Sequence, residues 1–104
     1  MARLKIIWTN TAIQQRNLIF KYWNKRNGSK SYSRKLNYKI KERIEILKFN
    51  PWLGKSIQLE NIRLLAFKHY SILYKKYDSK IAIIGFWDNR QNPKRLLDLL
   101  NNDA

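Results

Sequence analysis

The stretch from Ile62 to Trp87, IRLLAFKHYSILYKKYDSKIAIIGFW, decides how this chain folds. Ile62–Phe67 is a short apolar run of strand length. Tyr70–Tyr77 alternates, with Tyr70, Ile72 and Tyr74 on one face and Ser71, Leu73 and Lys75 on the other, the period of a pleated strand. Ile81–Trp87 is almost wholly apolar, as a central strand covered on both faces must be. Lys68-His69 and Asp78-Ser79-Lys80 are short enough for hairpin connections. The stretch therefore predicts a three-stranded antiparallel meander.

Outward from the meander, the pattern changes period. Leu4 to Trp8 reads as a strand closed by Thr9-Asn10-Thr11. Thr11 with Gln14 three residues later fits a capping box and opens a helix. Ala12, Ile13, Ile19, Phe20 and Trp23 share one face of it. Asn27-Gly28 ends it, because Gly accepts the left-handed conformation past a helix terminus. A second helix starts near Ser29 or Ser31, with Tyr32, Leu36, Ile40, Ile44 and Leu47 as its apolar stripe. Asn50-Pro51 stops it, since the residue before proline avoids helical geometry. Trp52 to Asn61 reads as a loop, with Gly54 and Lys55 near its middle. Pro93 suits the first turn of a terminal helix carrying Leu96, Leu97, Leu99 and Leu100. The order β-α-α-β-β-β(-α) predicts an α+β fold in which a helical hairpin packs on a small, mostly antiparallel sheet. A length of 104 residues suits a single domain, 1–104, with a modest core.

Charge is the next constraint. Residues 1–41 hold eleven Lys and Arg and no carboxylate; Glu42 is the first acid, and the whole chain carries a formal charge of +15. Such a charge calls for a polyanion or an acidic partner. Lys25, Arg26, Lys30, Arg34, Lys35 and Lys55 are the candidate nucleic-acid-binding side chains. Charged helix faces are ordinarily just solvated, but the lack of matching acids sets these apart.

Standard enzyme signatures fail. Three glycines stand too far apart for a phosphate loop, cysteine is absent and there is one histidine. No cofactor or metal site is expected, and a thiol nucleophile is impossible. The absence of cysteine suits a reducing cytoplasm. Ile6-Ile7-Trp8 is too short for a secretory core and no run approaches membrane-spanning length, so a soluble cytoplasmic protein is expected. The meander gathers Lys68, His69, Tyr70, Asp88 and Arg90 at one edge of the sheet, with Arg63 further along its strand. Arg and Lys there can stabilise charge developing on a phosphate, and His or Tyr can move a proton during 2′-hydroxyl attack. Arg63, Lys68, His69, Tyr70, Asp88 and Arg90 are the candidate catalytic set.

The segments Ile62–Phe67, His69–Tyr74 and Ile81–Trp87 together resemble the RelE/ParE superfamily of bacterial toxins. Phe86-Trp87-Asp88-Asn89-Arg90-Gln91-Asn92-Pro93 is similar to the end of many members, as is Asn50-Pro51 followed by Gly54-Lys55. The resemblance implies a toxin of a type II toxin–antitoxin pair, held by an antitoxin with an acidic, partly disordered tail. RelE-like members cut mRNA in the ribosomal A site; ParE-like members bind and poison DNA gyrase. In the RelE-like pattern Arg90 matches the late arginine and Arg63 roughly matches the early basic residue. Ser71 stands where an arginine is expected, and Lys94-Arg95-Leu96 lacks the late tyrosine; Asp88 and His69 are the available substitutes. The charge favours a ribosome-dependent endoribonuclease with ribosome and mRNA as partners. The incomplete catalytic set favours the alternative, a gyrase inhibitor without chemistry.

Overall fold

The computed structural model describes residues 4–57 and 61–90. In chain order these form β1 (Lys5–Trp8), α1 (Asn10–Asn27), α2 (Ser31–Phe49), β2 (Lys55–Ser56), β3 (Ile62–Phe67), β4 (Tyr70–Lys76) and β5 (Lys80–Asp88). The expected terminal helix lies outside the described residues. The sheet runs β1-β5-β4-β3-β2. β1 lies parallel to β5, and the other neighbours are antiparallel.

The meander is as read, and β5 is an inner strand. Two local expectations are corrected. The start of α1 is capped by Thr9, not by Thr11 and Gln14: Thr9 Oγ1 accepts from Ala12 N at 3.2 Å. The same hydroxyl donates to Ile83 O, and Thr9 N–H bonds that carbonyl as well, at 3.0 Å. Long-range pairing to β5 thus fixes where β1 stops and α1 begins, and a local motif two residues on loses to it. The expected loop 52–61 contains the two-residue strand β2, in which Lys55 pairs with Leu64 and Ser56 with Arg63. Both residues are exposed, so no apolar alternation marks them. The edge of β3 still needs backbone partners, and β2 supplies them.

The helix stop at Gly28 is in place, with φ of 65°. Ser33 Oγ on α2 has two acceptors on α1 within hydrogen-bond reach, Phe20 O at 3.0 Å and Asn24 Oδ1 at 2.6 Å. This buried hydroxyl ties the hairpin together. The hairpin packs Ala12, Ile19, Leu36, Ile40, Ile44 and Leu47 on the sheet face formed by Leu65, Phe67, Tyr70, Ile72, Tyr74, Ile81, Ile83 and Phe86. Ile83 and Phe86 share that face although three residues apart. The register slips between Leu73 and Tyr74, which pair with Gly85 and Ile83 respectively. One extra residue on β5, a bulge, restores the alternation. Ile62, Leu73 and Trp87 are buried on the opposite face.

Candidate functional site

β1 has four residues and β5 has nine, so β1 covers β5 only as far as Ile83. Beyond that point Gln15 of α1 takes over, its Oε1 accepting from Phe86 N at 2.9 Å. Between α1 and the end of β5 the uncovered edge opens into a groove of about 640 Å³, lined by Leu18, Tyr22, Trp23, Arg26, Asp88 and Arg90 among others. Leu18 and Tyr22 are 66% and 55% exposed. Among the described residues nothing fills this apolar groove, and Arg26 and Arg90 lie on its edge.

Arg90 sits on its wall. Its guanidinium grips Asp88 through two bonds, Nε to Oδ1 at 2.9 Å and Nη2 to Oδ2 at 2.7 Å, and its backbone N–H adds a third at 2.9 Å. The same guanidinium lies 5.4 Å from the Trp23 ring and 5.9 Å from that of Tyr70. Hydrogen bonding from Arg90 holds the Asp88 carboxyl below its usual range, and Asp88 in turn raises the Arg90 guanidinium. Such a bidentate pair is well oriented and permanently charged at neutral pH.

Tyr70 is fully buried, its ring stacked on Phe86 at 5.3 Å and its hydroxyl 3.0 Å from that of Tyr32. Burial, and then Tyr32, push its phenol far above the ordinary value. It remains a phenol at neutral pH, a poor state for accepting a proton. Ser71 Oγ donates to Asn89 Oδ1 at 2.7 Å, and Asn89 N–H bonds His69 O at 2.7 Å. The backbone therefore does bring the Lys68-His69 turn beside Asp88-Asn89-Arg90, as the meander implied.

The side chains then part company. Lys68, in the left-handed region at φ 53°, lines a separate hollow of about 400 Å³ with Arg34, Lys35, Tyr38 and Lys39. His69 is exposed at the turn. Arg63 lies four residues from the Phe67 end of β3, roughly 13 Å at about 3.3 Å per residue. Its Nη1 donates to Gly54 O at 2.6 Å and Trp52 O at 3.3 Å, and its guanidinium lies 4.9 Å from the Trp52 ring. Arg63 and Arg90 thus serve different ends of the sheet. Of the proposed nucleic-acid-binding side chains, Arg26 borders the α1 groove, while Arg34 and Lys35 border the second hollow. Lys25 and Lys30 are exposed around the helix turn, and Lys55 is exposed on the far edge strand. They do not form one patch.

The sequence places Trp23 and Tyr32 only in the core stripes of their helices and gives Leu18, Tyr22 and Trp52 no role. Leu18 and Tyr22 carried a faint signal: both are apolar yet fall outside the α1 core stripe. Among the described residues no group of three His, Asp or Glu is placed to hold a metal ion, and no helix is long and apolar enough to cross a membrane.

A helical hairpin on a mixed five-stranded sheet, with an apolar groove beside α1, defines a small α+β domain. Residues 6–93 match the family model described as ParE toxin of type II toxin-antitoxin system, parDE. The chain belongs to that toxin family. A solved structure titled "Chromosomal ParDE TA system from P. aeruginosa" superposes with a TM-score of 0.71 over 83% of this chain and 96% of that one, at 18% identity, which speaks to the fold alone. No curated protein matches the sequence significantly.

Proposed function

We propose that the protein arrests growth as a gyrase-binding toxin without nuclease chemistry, and that a cognate antitoxin with an acidic tail neutralises it. The observation that carries this reading is the family match over 6–93, within the superfamily whose ParE-like branch poisons gyrase. The geometry supports it. Arg63 is committed to backbone carbonyls away from Arg90, Ser71 stands in place of a cation, and the Tyr70 phenol is buried and hard to ionise. The ribosome-dependent nuclease would need these groups to act on one phosphate. The groove beside α1 suits the antitoxin: Leu18 and Tyr22 offer apolar area, and Arg26 at its edge suits a carboxylate.

Brief induction in a bacterial host tests the reading. Plasmid supercoiling and primer extension on mRNA are followed in parallel. The expected result is relaxed plasmid with gyrase–DNA breaks and intact transcripts. Ribosome-dependent cuts that vanish in Arg90→Ala would replace this function with the nuclease.

A further inference from the structure

Trp52 is displayed at the sheet end opposite the groove, and nothing in the proposed function uses it. Its side chain is 61% exposed, an unusual place for tryptophan. The loop that carries it is pinned from below. Tyr74, fully buried, donates its hydroxyl to Pro51 O and accepts from Gly54 N, both at 2.8 Å. A side chain at position 54 would strike that phenol at 2.5 Å, so the tie requires glycine. Arg63 holds the other side of the loop through Gly54 O.

Two cations lie over the ring: the Arg63 guanidinium at 4.9 Å and Lys76 Nζ at 5.3 Å from its centroid. Neither is in an ion pair with another described residue. Arg63 pairs across β3–β4 with Tyr74, and Lys76 lies two residues beyond Tyr74, so both cations share one sheet face. An outward, pre-ordered indole with two cations against it, neither paired with a carboxylate among the described residues, is an arrangement that can stack a base and meet its phosphates.

We infer that Trp52, Arg63 and Lys76 form a binding platform for single-stranded nucleic acid, with a base stacked on Trp52. An acidic protein segment would satisfy the cations but leave the indole face unused. The platform is separate from the α1 groove. The inference goes beyond gyrase inhibition and does not depend on it, because the assay holds only this protein and an oligonucleotide.

The test is fluorescence anisotropy with labelled octamers of deoxythymidine and of uridine, and with a labelled Glu-rich peptide, over a salt series. Trp52→Ala is expected to weaken octamer binding about tenfold, Trp52→Phe to retain most of it, and neither to change the salt slope. Lys76→Ala is expected to lower the slope by about 0.7, one phosphate contact on a single strand. The tighter of the two octamers identifies DNA or RNA as the source. Equal octamer affinity in the native protein and Trp52→Ala would overturn the platform, leaving only diffuse charge. So would a Trp52-dependent loss confined to the acidic peptide. Unchanged thermal melting in Trp52→Ala separates either result from unfolding.

Discussion

Arg63 and Arg90 look interchangeable in the sequence: each is a basic residue on or just past a strand of the same meander. The fold gives them opposite duties. Arg63 donates to the carbonyls of Trp52 and Gly54 and so helps build a loop. Arg90 grips a carboxylate at the mouth of an open groove and lies over Trp23 and Tyr70. At one end of the sheet the arginine is fastened by backbone carbonyls, at the other by a carboxylate beside the α1 groove. An arginine's role follows from the acceptors within its reach, and those come from pieces distant in sequence.

If that contrast is right, the fastened end is the more fragile. Gly54→Ala places a methyl against the buried Tyr74 ring and is expected to reduce stability by about 3 kcal/mol in urea denaturation, the upper end of ordinary overpacking. Tyr74→Phe strands Gly54 N–H and Pro51 O and is expected to cost about 2 kcal/mol in the same measurement. Arg63→Ala is expected to cost about 1.5 kcal/mol, against about 0.5 kcal/mol for Arg90→Ala, whose pair is partly exposed. A reversed order for the two arginines would break the comparison.

The smallest effect is one of pH. Asp88 is held below its ordinary value of 3.8 by Arg90. A carboxyl depressed in the fold lends stability above its unfolded pKa and withdraws it as pH falls through the folded value. Thermal melts below about pH 4 should therefore fall more steeply for the native protein than for Asp88→Asn, and the two curves should run parallel near neutrality.

Much of the architecture was legible because periodicity survives without context. The alternation in Tyr70–Tyr77, the stripe through Leu36, Ile40 and Ile44, and Gly28 as a helix stop are all local statements. Thr9 was hidden because its competing capping box is also local, and only Ile83, far along the chain, decides between them. β2 was hidden because Lys55 and Ser56 bury nothing. At the site, the meander correctly brought the 68–70 turn beside 88–90. The sequence does not tell where side chains go after that: Lys68 turns to the α2 hollow and Arg90 to the α1 groove. The groove itself follows from a mismatch in strand length, four residues against nine, and only Leu18 and Tyr22, apolar outside the core stripe, hint at it.

The most direct trial of the whole account is a plasmid-supercoiling reaction with purified gyrase and this protein, run beside purified ribosomes programmed with mRNA. The account predicts blocked supercoiling, accumulated cleaved plasmid and uncut message. Cut message in the ribosomal reaction, with gyrase working at its normal rate, would contradict it.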